Sequence, residues 1–149
     1  MTLRWLFAAV HLLALPIGLG AVVIRGRALR GTLDASCLQR VFRADTLWGI
    51  AAVLWIGTGL VRAFGGLEKG AAYYLAEPLF VVKMALLVLV FALEVWPMIT
   101  LIRWRIASAK GLGVDTRPAR ALARISDVQA AIIVVMVFAA TGMARGIRW

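Results

Sequence analysis

The chain carries a run without formal charge from Trp5 to Ile24, WLFAAVHLLALPIGLGAVVI, and three further apolar stretches of similar length. About 20 apolar residues is what a helix needs to cross the roughly 30 Å hydrocarbon layer of a bilayer. Four such stretches in 149 residues leave no room for a substantial soluble domain. We place the spans at residues 3–24, 44–64, 78–102 and 125–144. The expected fold is all-α: a polytopic membrane protein made of one four-transmembrane-helix bundle. Hydrocarbon offers no water to backbone amides, so only helices or closed barrels cross it, and these segments are too long and too uniformly apolar for barrel strands. Arg4, an apolar stretch and then small residues resemble a signal peptide. The run nevertheless continues uncharged to Ile24, so we expect it to stay in place as the first span.

Composition bears on partners. The chain is 63% hydrophobic with a formal net charge of +10 and a mean hydropathy of +0.92. Such a charge could indicate a nucleic-acid partner, but the basic residues lie in short segments between apolar runs, as in membrane proteins. The predicted partner is the lipid bilayer and not nucleic acid; a homo-oligomer or a place in a larger membrane complex stays open. Eleven Lys and Arg residues fall in the first and third connections, against five (Arg4, Arg62, Lys69, Arg145 and Arg148) on the opposite side. By the positive-inside rule those connections are cytoplasmic and both termini of this inner-membrane protein are periplasmic. Lys83 is the seventeenth and lies within the membrane. Tyr73 and Tyr74, with Trp5, Trp104 and Trp149, suit the membrane–water boundary. The single cysteine, Cys37, excludes an internal disulfide and reads as a small structural residue. Thr32 and Asp34 offer helix caps, and Leu38, Val41 and Phe42 continue an apolar face into the second span, which should therefore start early.

Ionisable groups inside a span cost about 2.5 to 3.5 kcal/mol each on insertion scales and call for a partner or a task. In the third span Lys83 and Glu94 are eleven residues apart, on one face and about 16 Å apart along the axis. We take both as candidate catalytic residues; the alternatives are a snorkelling anchor for Lys83 and a structural ion pair for Glu94. Pro97 removes a backbone donor just beyond Glu94 and is expected to kink the helix there. In the first span His11, Gly18 and Arg25 recur every seven residues and share a face. In the second, Asp45, Ala52 and Gly59 share one, with Trp48, Trp55 and Arg62 beside it. Gly18 with Gly20, and Gly57 with Gly59, permit close helix approach.

Helical rise groups these residues into two layers. His11 lies about 12 Å and Lys83 about 8 Å below the outer boundary, so the two can meet. On the cytoplasmic side Asp45, Glu94 and Asp127 can face Arg25, Arg43, Arg103 and Arg124 as a structural ion network. His11 is the only histidine: either a neutral imidazole bonded to a carbonyl, or a cofactor ligand. One histidine cannot give two imidazole ligands, so haem b would need a methionine, an open position or a shared site. Met84, Met98, Met136 and Met143 are the candidates, and a histidine–methionine set would also suit Cu(I), although the metal is not specified. There is no GxSxG elbow, phosphate loop or paired histidine motif, which argues against a hydrolase or a nucleotide-driven pump.

The stretches VFRADTLWGIAAVLWIGTGLVRAFGGLEKGAAYYL and LEVWPMITLIRWRIA resemble an uncharacterised group of bacterial predicted membrane proteins, domain-of-unknown-function family 2214, over nearly the whole chain. That resemblance implies a bacterial inner-membrane location and no established activity. A more distant likeness is to the four-helix membrane protoporphyrinogen IX oxidases and related copper-resistance membrane proteins. His11 and Lys83 match their first-helix histidine and third-helix lysine, and Arg124, Ser126 and Asp127 look similar to the start of the oxidases' fourth helix. Where the oxidase pattern has a second histidine, this chain has Glu94.

Three functions follow as expectations: a small redox or cofactor-handling protein using His11, Lys83 and Glu94; a non-catalytic subunit or assembly factor; and a copper or small-ion conduit. On topology, a cysteine reporter near Lys69 should be labelled from the periplasm and Cys37 only after permeabilisation. The reverse pattern would refute the charge argument.

Overall fold

In the computed structural model, which describes residues 2–66, 72 and 75–146, four helices run in sequence: α1 (Thr2–Ala28), α2 (Ala35–Phe64), α3 (Pro78–Ala109) and α4 (Ala119–Ala144). All four are long and apolar enough to cross a membrane, and the described residues contain no strand. Lys69, Tyr73, Tyr74, Arg148 and Trp149 lie outside the described residues.

Each expected span lies within one helix, and each helix runs past it at the end that carries the basic connections. The start of α2 shows why. Asp34 caps it, accepting the Cys37 N–H at 2.7 Å and the Ser36 hydroxyl at 2.8 Å, and the Cys37 N–H followed by the Ser36 hydroxyl holds this exposed carboxyl below the usual carboxylate range. It is therefore ionised, as a cap should be, at neutral pH. Leu38 and Val41 then bury the extra turns. Proline opens α3 at Pro78 and caps α4 at Pro118, where a missing N–H costs nothing. At its other end α3 closes in a left-handed turn: Gly111 has φ +67°, and the Leu112 N–H reaches back to the Ala107 carbonyl at 2.9 Å. The helix continues through Pro97 without interruption.

Close backbone approach among the described residues joins α1 to α2, α1 to α4 and α3 to α4. Small residues set these distances. Gly18 faces Trp48 and Ala51, Gly26 faces Ser126, and Gly59 faces the His11 ring, whereas Gly20 and Gly57 look onto open space. Only half of the glycines read as packing positions thus serve as such. Trp48, Trp55, Val22, Val90, Ile133 and Met136 fill the middle of the bundle. Trp104 is not a boundary anchor: it is 5% exposed and packs with Leu101 and Leu122 at the Arg25 end. Trp5, 70% exposed, and Phe138, 72% exposed, belong to the apolar outer surface a lipid-facing bundle presents. Cys37 is buried, its thiol donating to the Ala28 carbonyl at 3.2 Å, so exposed Gly113 is the better reporter position on that side.

The glycine contacts differ enough to be tested by paired substitution. A Cβ at Gly26 would lie 3.1 Å from the Ser126 Cβ and 3.3 Å from an Asp127 carboxylate oxygen, while one at Gly20 would touch nothing. Gly26→Val should cost about 1–3 kcal/mol through overpacking and lower the melting temperature in detergent, with Gly20→Val near neutral. Equal losses would show that α1 and α4 are not held this closely.

Candidate functional site

Two groups of polar side chains face the interior of the bundle, one toward each end. At one end the side chain of Arg25, fully buried, reaches all three other helices. Its five N–H groups find five acceptors. Nε donates to Ser126 Oγ at 3.1 Å. Nη1 donates to Asp45 Oδ1 at 3.0 Å and to Glu94 Oε1 at 2.6 Å. Nη2 donates to Glu94 Oε2 and Gln129 Oε1, both at 2.8 Å. Glu94 thus holds the guanidinium in a two-pronged pair, the strongest geometry open to these groups. Gln129 closes the ring, its amide donating to Glu94 Oε2 at 2.8 Å and to the Val90 carbonyl at 3.1 Å. On the other side Asp45 Oδ2 accepts from Arg105 at 3.0 Å, and Arg105 also bonds Thr46 Oγ1 and lies over the Phe42 ring. Two arginines and two carboxylates make a formally neutral set.

Arg25, Asp45 and Glu94 therefore meet. Asp127 stands apart, pairing with Arg30 on the exposed surface, and Arg43, Arg103 and Arg124 are exposed. Sequence reasoning did not single out Gln129, and it took Arg103 where Arg105 makes the contact. Two signals were available. Ser126 and Gln129 are three residues apart in an otherwise apolar helix, hence on one face. Arg105 lies eleven residues beyond Glu94, hence also on its face.

At the opposite end a cavity of about 480 Å³ is walled by all four helices. His11 of α1 and Lys83 of α3 both line it, with Arg62 and Thr141 as the other polar residues and Leu15, Phe80, Met136 and Ala140 among the apolar ones. The His11 ring is fixed from α2: Nδ1 lies 3.0 Å from the Trp55 carbonyl and 3.0 Å from Thr58 Oγ1. The Thr58 hydroxyl donates to the Leu54 carbonyl at 2.6 Å, so both groups accept, and Nδ1 carries the proton. When the ring is neutral, this tautomer makes Nε2 the acceptor nitrogen, on the ring edge away from the anchor. Gly59 makes room for the ring: a Cβ there would stand 3.1 Å from Cε1. Met136 and Met143 line the cavity and Met84 its neighbour, whereas Met98 is exposed on the outer surface of α3. The described residues hold no cluster of three or more His, Cys, Asp or Glu suited to a metal.

Between the two sites lies hydrocarbon. His11 and Arg25 are separated by about 21 Å of helical rise, and the Trp48–Val22–Val90–Ile133 layer fills the interval.

A family model described as "Predicted membrane protein (DUF2214)" matches residues 3–148. The chain belongs to that family. No curated protein and no solved structure matches it. For this DUF2214 protein the chemistry must accordingly be argued from the two sites themselves.

The Arg25 cluster has a direct energetic consequence. Arg25→Met leaves Glu94 buried without its cation and should cost about 3–5 kcal/mol; replacing both partners, Arg25→Met with Glu94→Leu, should recover most of it. Reversible unfolding in mixed micelles measures the cycle. A double variant no more stable than Arg25→Met would show that the pair is not the unit of stability.

Proposed function

We propose that this DUF2214 protein is a small membrane cofactor-handling protein that holds an amphipathic redox cofactor in the His11 cavity. One observation carries the reading: His11 and Lys83, from helices that do not approach each other closely, line the same mostly apolar cavity. Cofactor sites have this form, an apolar wall with a few placed polar groups. The anchored imidazole presents a nitrogen lone pair, and Lys83 and Arg62 present cations to acceptor oxygens. Haem b suits this donor set in part: His11 would be one axial ligand, Met136 or Met143 the other, and the two cations would meet its carboxylates. Bound there, haem would supply one-electron chemistry.

Lys83 then keeps its role at the cofactor, while Glu94 goes to architecture, because Arg25 and Gln129 occupy both its oxygens. The apolar middle layer also speaks against a conduit joining the two ends. The charge bias supports a cavity at the periplasmic side of a bacterial inner membrane, within one four-helix unit whose termini are both periplasmic. A role as subunit of a larger complex is the second reading, supported by the fully satisfied Arg25 cluster, which needs no chemistry to account for its buried charge.

Oxidised and dithionite-reduced absorption spectra of gently solubilised protein, with organic extraction of the same sample, separate the two. A cofactor lost from both His11→Ala and Lys83→Ala is the expected result. A colourless, metal-free, extract-free protein that co-purifies with a larger assembly would overturn it in favour of the subunit reading.

A further inference from the structure

The His11 cavity is not a closed chamber. A smaller space of about 90 Å³ adjoins it, sharing His11, Lys83 and Phe80 and running between α2 and α3 past Leu60 and Leu87. These two helices are tied at their ends. Arg105 bonds Asp45 and Thr46 at one end, and Phe64 meets Phe80 edge-on, with centroids 6.4 Å apart, at the other. The close backbone approaches of the bundle join α1 to α2, α1 to α4 and α3 to α4, and α2 with α3 is not among them. Leu60 and Phe64 are each 47% exposed on the bundle surface, so the slot opens on the side that faces lipid.

We propose that the cavity receives the ring of a lipid-tailed quinone, whose single isoprenoid chain leaves through this slot into the bilayer. The proposal rests on the cofactor reading above and names the class of cofactor. The slot is narrow and, apart from the shared His11 and Lys83, lined by apolar residues, which suits one apolar chain and not two. A fatty-acid carboxylate alone would leave much of the chamber unfilled, and a phospholipid would bring two chains to a slot that takes one. A flat ring with two carbonyl oxygens fits both facts: Lys83 donates to an oxygen of the quinone, and a neutral His11 accepts a hydrogen bond from a hydroxyl of the quinol form. The slot also separates this class from haem, which has no long chain to place in it. Lateral entry needs no aqueous path, because such a quinone is already dissolved in the bilayer.

Trp55 lines the chamber, so quenching of tryptophan fluorescence reports occupancy. Full-length protein, stripped of quinone in detergent, is titrated with decyl-benzoquinone and with the same ring lacking its tail. We expect saturable quenching, with the tailed ring bound at least tenfold more tightly. Lys83→Met should weaken both rings tenfold or more. The double substitution Leu60→Phe with Leu87→Phe should weaken only the tailed one, its unchanged melting temperature showing that the bundle is intact. Equal affinity for the two rings, an unaffected double variant, or displacement of the quinone by oleate or phosphatidylglycerol would overturn the proposal. A Soret band lost in His11→Ala without saturable quinone quenching would leave the cofactor reading standing and remove the quinone. If neither ligand depends on His11 or Lys83, the cofactor reading falls as well.

Discussion

A guanidinium buried at membrane depth must have every N–H satisfied, and this requirement organises the bundle. Arg25 touches all three other helices through its side chain's polar atoms, with acceptors from each: Asp45 in α2, Glu94 in α3, Ser126 and Gln129 in α4. Apolar packing in lipid discriminates weakly between one helix register and the next, since lipid tails are as apolar as leucine. A rigid fork with five fixed directions discriminates strongly. Sliding or rotating any helix by a turn would break bonds to a charge that has no water to turn to. The cluster therefore fixes which helices are neighbours and at what depth, and the packing of Gly18 against Trp48 and Gly26 against Ser126 follows from that register.

Fixing one end leaves the other free to be hollow. Ties between α2 and α3 include the Arg105 contacts and the Phe64–Phe80 edge contact, and the slot that adjoins the cavity lies between these. A bundle held by uniform small-residue packing along its length would have closed over this volume. Here the stability is concentrated at the Arg25 end and in the tryptophan layer, so His11 and Lys83 can line a void without the helices losing their arrangement. Separation of a stabilising layer from an open one is a common way for a small scaffold to carry a pocket at little cost to its fold.

Much of this was legible in the chain. The four spans follow from run length alone, and the early start of α2 follows from Asp34 and the apolar spacing of Leu38 and Val41. The inward face of α1 follows from the seven-residue recurrence of Gly18 and Arg25, both of which are buried. Helical periodicity gives face and depth, but not azimuth relative to a neighbour. That is why Arg105 and Arg103, two residues apart, could not be told apart by depth: Arg105 turns to Asp45 while Arg103 points outward. It is also why Trp104 read as a boundary anchor although it faces the core. Gln129 was invisible for a different reason: a single amide in an apolar helix has no charge to announce itself, and its value comes from sitting between Glu94 and Arg25.

The same reasoning explains why His11 and Lys83 demand an account of their own. Glu94 and Asp45 are explained once Arg25 is in place, because each carboxylate oxygen has a donor. The His11 ring is oriented from α2 through Nδ1, which lies 3.0 Å from the Trp55 carbonyl and 3.0 Å from Thr58 Oγ1. An imidazole brings a second nitrogen, with a proton affinity near neutrality, and places it beside a cation in a chamber large enough for a ring system. Packing would have favoured filling that chamber with leucine. The hollow, the oriented imidazole and the lysine on its wall distinguish the end of the bundle that the Arg25 cluster leaves open, and the proposed cofactor role rests on these three features together.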